Sequence, residues 1–147
     1  MIASVRNSLS GMRLSAKATA VSVSNTANAH NTASLDSMAV AGASAGRQSG
    51  GYDEAPHDPL YTPQRVEGES VEGGGVRAVL RDVTPAHVVA YAPGDPHADE
   101  HGRVARSNVD MAEEAVRTRQ ARTHYAANLR VLLTTDEMLG TLLDNKA

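Results

Sequence analysis

Residues 2–27 read IASVRNSLSGMRLSAKATAVSVSNTA, a stretch with no proline and a single glycine. Within it Ile2, Val5, Leu9, Met12, Ala16, Thr19, Val23 and Thr26 follow spacings of 3, 4, 3, 4, 3, 4 and 3, which is a heptad seam. The spacing predicts one amphipathic helix over residues 2 to about 28. Its second half is built from Ala16, Ala18, Ala20, Ser22 and Ser24, so a neighbouring helix can approach closely there while burying little area. At 1.5 Å per residue such a helix is roughly 40 Å long, more than a small domain covers by itself, and a second helix is expected to lie against it.

The other end of the chain supplies one. Asp110-Met111-Ala112-Glu113 has the spacing of a capping box, and Asp110, Glu113 and Glu114 suit the positive end of a helix dipole. Neither proline nor glycine follows until Gly140, so the helix is expected to run to about Leu143. Tyr125, Leu129, Leu132, Leu139 and Leu143 form one apolar stripe, and Val131, Met138 and Leu142 widen it.

The middle of the chain has a different composition. From Asn25 onward Asn, Ser, Thr, Ala and Gly dominate up to Ser49-Gly50-Gly51, the pattern of a helix exit and a flexible connection, with room for one helical turn near 35–40. All six prolines fall at 56, 59, 63, 85, 93 and 96 and exclude a long helix across that segment. Short strands are expected at 64–71, 76–83 and 86–91, joined by Gly73-Gly74-Gly75 and by Thr84-Pro85. The expected fold class is α+β: two long terminal helices pairing as a coiled-coil-like hairpin, with a small β-rich insert between them. By segment, this gives an N-terminal axial helix and exit at 1–32, a linker at 33–51, the insert at 52–106 and a C-terminal axial helix at 107–147.

Composition narrows the function classes. Of 147 residues 41% are hydrophobic, yet Phe and Trp are absent and aromatic content is 3%, so Ala, Val, Leu and Met carry the apolar share and a deep single core is poorly supplied with bulk. That favours an assembly subunit over a compact enzyme. The absence of cysteine excludes a disulfide framework and a thiolate metal site. No run approaches the roughly 20 apolar residues needed to span a bilayer, and Arg6, Asn7, Ser8 and Ser10 interrupt any signal-peptide core, so no membrane insertion is expected. Net charge is −3, divided as +3 over residues 1–35 (three basic, no acidic), −5 over 36–107 (6 basic, 11 acidic) and −1 over 108–147 (5 basic, 6 acidic). Three cations along a helix without aromatic neighbours make no nucleic-acid footprint.

Potential chemistry concentrates at Pro93-Gly94-Asp95-Pro96-His97-Ala98-Asp99-Glu100-His101-Gly102. On a helix His97 and His101 would share a face, as zinc-binding histidines do. The prolines and glycines make the segment a turn instead, and a solvated acidic turn is the preferred reading. The alternative is a small metal-binding or hydrolytic protein using His97, Asp99 and His101. His30, His57, His87 and His124 have no nucleophile or carboxylate partner at a recognisable spacing. Gly73-Gly74-Gly75 lacks the following helix N-terminus that a phosphate cradle uses. No catalytic residue, metal or cofactor is expected.

Several of these segments resemble the bacterial flagellar axial proteins. Ser10-Gly11-Met12 and Asn25-Thr26-Ala27-Asn28 match their N-terminal signature and helix exit. Pro96-His97-Ala98-Asp99, Gly102-Arg103-Val104, Asn108-Val109-Asp110, Glu113-Glu114, Ala121, Tyr125-x-Ala127-Asn128 and the closing Met138-Leu139 through Leu142-Leu143-Asp144 resemble more narrowly the FlgC-type proximal rod proteins. The similarity covers 1–32 and about 60–144. Thr26, Ala115, Thr118, Arg119 and Thr123 depart from the family's pattern and mark a divergent member. The resemblance implies a non-catalytic subunit of the periplasmic rod in the flagellar basal body, exported by the flagellar type III apparatus without a cleaved signal. It also implies partners among FlgB, FlgF, FlgG and FliE type proteins and copies of itself. The assembly interface then comprises Ile2, Val5, Leu9, Met12, Val23, Asn25 and Asn28 at one end, with Tyr125, Asn128, Leu129, Leu132, Met138, Leu139, Leu142 and Leu143 at the other.

Overall fold

A computed structural model describes residues 2–38 and 60–144, and of Ile2 the backbone alone. The elements in chain order are α1 (Ile2–Ala27), β1 (Thr32–Ala33), β2 (Gln64–Ser70), β3 (Val76–Asp82), β4 (His87–Tyr91), β5 (Arg103–Ser107) and α2 (Met111–Asp144). The chain is therefore α+β, with a long helix at each end and a β-rich region between them. Both helices keep the expected bounds within a residue or two. Residues 35–38 are again helical, where a turn was expected. The linker expected at 33–51 lies outside the described residues from 39 onward, as does His57.

Two compact units interleave along the chain. The helical unit holds Met1–Ser24, Gln64–Arg81 and Met111–Ala147; the sheet unit holds Asn25–Pro63 and Asp82–Asp110.

In the helical unit, β2 and β3 form a two-stranded sheet. Gly73, Gly74 and Gly75 turn the chain between them, all at positive φ, and the Gly74 N–H donates to the Val71 carbonyl at 2.9 Å. Gly75 is needed twice over. Its φ of +92° disfavours any side chain, and a Cβ there would lie 2.8 Å from the Ser10 hydroxyl. That hydroxyl accepts from the Val76 N–H at 3.1 Å and donates to the Asn7 carbonyl at 2.8 Å, tying the hairpin to α1. At the start of α2, Glu113 accepts from Arg117 one turn on at 2.6 Å and from Arg65 of β2 at 3.1 Å.

In the sheet unit the strand order is β1-β5-β4, with antiparallel pairing throughout. The central strand, β5, lies outside the three expected strands. It is short, and Arg103 and Arg106 are exposed while Val104, Ala105 and Ser107 are buried, so its hydrophobic signal is weak. β1 pairs through two residues only, Thr32 with Arg106 and Ala33 with Ala105. Asn25, at the end of α1, is fully buried and accepts from the Tyr61 hydroxyl at 2.8 Å; the Ser107 hydroxyl in turn donates to the Tyr61 carbonyl at 2.7 Å.

Bulk is scarce throughout. Among the described residues the buried hydrophobic side chains are Ala29, Leu60, Val104, Ala105 and Ala121, only two of them larger than alanine. No helix among the described residues is long and apolar enough to cross a membrane.

Candidate assembly interface

Burial along α1 follows a heptad, but one built from small residues. Ser8, Ser15 and Ser22 are buried, with Ser4, Gly11 and Ala18 half-buried between them. On α2 the matching positions are Glu114, Ala121 and Thr135, buried, and Asn128, half-buried, each seven from the next. Two contacts fix an antiparallel order. Ser4 Oγ lies 3.2 Å from Thr135 Oγ1, and a Cβ on Gly11 would lie 2.7 Å from the Asn128 amide nitrogen. Three polar groups of this seam are satisfied within their own helices: Ser15 donates to the Gly11 carbonyl at 2.9 Å, Thr135 to Val131 at 2.8 Å and Asn128 to His124 at 2.9 Å. Such back-bonding removes the penalty of burying a hydroxyl or amide without demanding a partner across the contact. Since Thr135 spends its proton on Val131, Ser4 is the donor in the cross-helix bond.

The larger apolar residues flank this seam rather than fill it. On a helical projection of 100° per residue, Tyr125, Leu129, Leu132, Leu139 and Leu143 lie to one side of it on α2, with Val131, Met138 and Leu142 on the other. Leu132 is half-buried, and the remaining seven are exposed, Leu143 to 71%. On α1 the flank bearing Ser10 and Leu14 meets the β2 and β3 hairpin, at Val76 and Gly68. The opposite flank carries Val5 and Met12, half-buried, and Leu9 and Val23, exposed, Val23 to 58%. The side chain of Ile2 lies outside the described residues. Asn28 is half-buried just beyond the helix end.

The helix contact thus sits about one residue, or 100°, away from the apolar heptad. Sequence reasoning noted the small residues in the second half of α1 but not that they form the contact; the interval 4, 8, 11, 15, 18, 22 was the available signal.

The acidic turn is organised by its own backbone. Asp95 accepts from the His97 N–H at 2.8 Å, the Thr32 hydroxyl at 2.8 Å and His97 Nδ1 at 3.2 Å. Its carboxyl is held below the ordinary value, chiefly by the His97 backbone and then by the Thr32 hydroxyl. Asp99 accepts from the Arg103 and His101 N–H groups at 2.8 and 2.9 Å and from the Arg103 guanidinium, and the Arg103 backbone leads in lowering its carboxyl. Both oxygens of Asp99 are thereby engaged in holding the turn. Among the described residues no three histidine, cysteine, aspartate or glutamate side chains converge as a metal-ligand set, so the arrangement does not favour the metal-binding alternative.

Comparison with known proteins bears on both helices. Residues 100–145 match the flagellar basal body rod FlgEFG protein C-terminal family. The flagellar basal-body rod protein FlgC of Yersinia enterocolitica is 35% identical over 138 residues, 91% of this chain and 91% of that protein. The chain belongs to the FlgC family of flagellar basal-body rod proteins. The FlgC of Salmonella typhimurium is 35% identical over 80 residues, 54% of this chain and 59% of that protein; the FlgC of Agrobacterium fabrum is 37% identical over 54 residues, 37% of this chain and 39% of that protein. The structure gives the axial-protein signature and one FlgC-type motif a physical meaning: Ser10-Gly11-Met12 and Tyr125-x-Ala127-Asn128 meet where Gly11 faces Asn128. Asn25 of the exit motif is the buried acceptor for Tyr61.

Proposed function

We propose that this FlgC-family chain is a structural subunit of the flagellar proximal rod, without catalysis, held in place by the apolar flanks of its two terminal helices. The observation that carries this reading is the pairing of a close small-residue seam with exposed Leu, Val and Met on either side of it. Fully burying a Leu or Met side chain contributes about 1.5–3 kcal/mol, and a single chain leaves most of that unrealised. Neighbouring helices that cover the flanks would realise it, in coiled-coil-like packing with FlgB, FlgF, FlgG and FliE type proteins and with further copies. The family relationship supports a place in the basal body; a periplasmic rod position and passage through the flagellar type III apparatus without a cleaved signal follow from the same reading. A chain poor in bulky side chains and free of cysteine suits export in an unfolded state and folding on arrival.

The test replaces the host's only copy by one carrying Leu9→Asp and Leu139→Asp. Both residues are exposed, so the lone chain keeps its fold, while an unpaired carboxylate in an apolar contact is strongly disfavoured. The variant should be synthesised and exported, yet cells should lack a complete rod and fail to swim; Glu137→Gln, on the exposed face, should swim normally. Normal swimming by the double variant would refute the proposal.

A further inference from the structure

The face of α2 turned away from the seam carries Arg119, Arg122 and Arg130 around Thr123, Ala126 and Ala127, which together line a shallow groove. The three arginines span eleven positions, about 16 Å of helix. All are exposed, and none has an ion pair among the described residues. In the same unit Arg65, Arg77, Arg81 and Arg117 each meet a glutamate. The small residues between the three let a partner's backbone come close.

Charge divides between the two units in the same sense. The helical unit has eleven basic and eight acidic residues, a net of +3; the sheet unit has three basic and nine acidic, a net of −6. Among the described carboxylates of the sheet unit, Asp36 and Glu100 are exposed and without an ion pair.

We infer that the arginine face of α2 docks on the acidic sheet unit of a second copy of this chain. Such a contact pairs unlike surfaces, positive against negative. The inference rests on the rod-subunit reading and adds to it which surfaces of two copies meet.

The test uses the purified full chain in sedimentation at about 0.1 M and about 1 M salt, between which the screening length falls from roughly 10 to roughly 3 Å. The wild type should self-associate at the lower salt and dissociate at the higher. Arg119→Glu with Arg122→Glu and Arg130→Glu should weaken association by about tenfold or more, with an unchanged circular dichroism spectrum. Asp36→Lys with Glu100→Lys should do the same. An equimolar mixture of the two variants should associate again, because each then offers the other a complementary pair of surfaces. Undiminished association of the triple-glutamate variant, failure of the mixture, or a wild type that stays monomeric would overturn the inference. Binding of the wild type, but not that variant, to phosphatidylglycerol vesicles without self-association would overturn it in favour of a lipid surface.

Motility separates the two levels. A deletion strain that swims contradicts the rod reading itself. A deletion strain that does not swim, restored fully by the triple-glutamate variant, contradicts this contact between copies alone.

Discussion

Gly11→Ala sets two effects of similar size against each other at one atom. In a helix interior alanine is favoured over glycine by about 1 kcal/mol. The new Cβ, however, would lie 2.7 Å from the amide nitrogen of Asn128, 2.8 Å from its oxygen and 2.9 Å from its Cγ. The Asn128 side chain must then turn away from its 2.9 Å bond to the His124 carbonyl, a bond worth about 1 kcal/mol, and overpacking of the contact costs about 1–3 kcal/mol. The net expectation is destabilisation by about 1–3 kcal/mol. With Asn128→Ala already in place the obstruction is gone, and Gly11→Ala should stabilise by about 1 kcal/mol instead. The sign reversal is a coupling of about 2–4 kcal/mol, readable from urea denaturation of the four proteins in a double-mutant cycle. If Gly11→Ala has the same effect in both backgrounds, within about 0.5 kcal/mol, the helices do not approach at this point and the small-residue seam is wrong.

Asn25→Ala should destabilise the chain by about 1–3 kcal/mol, measured by the same denaturation, because it strands the Tyr61 hydroxyl that Asn25 accepts in a fully buried site. The carboxyls of Asp95 and Asp99 are both lowered in the folded turn, so their contribution is present above the unfolded carboxyl range and is lost as pH falls through the folded values. Amide protection at His97, His101 and Arg103 should accordingly be full at neutral pH and decline in acid; a decline on raising the pH from about 5 to about 7 would contradict the assigned hydrogen bonds. Calorimetric titration with zinc should show no saturable one-to-one binding, and a stoichiometric isotherm abolished by His97→Ala with His101→Ala would restore the metal-site reading.

The helices were legible because their signals are long and redundant: a proline-free heptad at one end, a capping box followed by nearly thirty glycine-free and proline-free residues at the other. β2 and β3 were legible from the three glycines between two runs of suitable composition. β5 was not, since its two exposed arginines and its length of five residues leave no clear alternation of hydrophobicity, and its role as central strand depends on β1 and β4 pairing from distant parts of the sequence. The helix contact was only half legible. Apolar periodicity drew the seam through Leu9 and Met12, whereas the closest approach belongs to Ser4, Gly11 and their neighbours, where backbone proximity rather than side-chain bulk governs packing. Residues that pack by being small leave a weak mark on any hydrophobicity pattern. The larger residues one position along are then free for other chains, the role the proposed rod assembly gives them.

The most direct measurement is quantitative mass spectrometry of flagellar basal bodies purified from the host. The account predicts several copies of the chain per basal body, retained through washing. Basal bodies that are complete and functional yet contain none of it, in cells that synthesise it, would contradict the account.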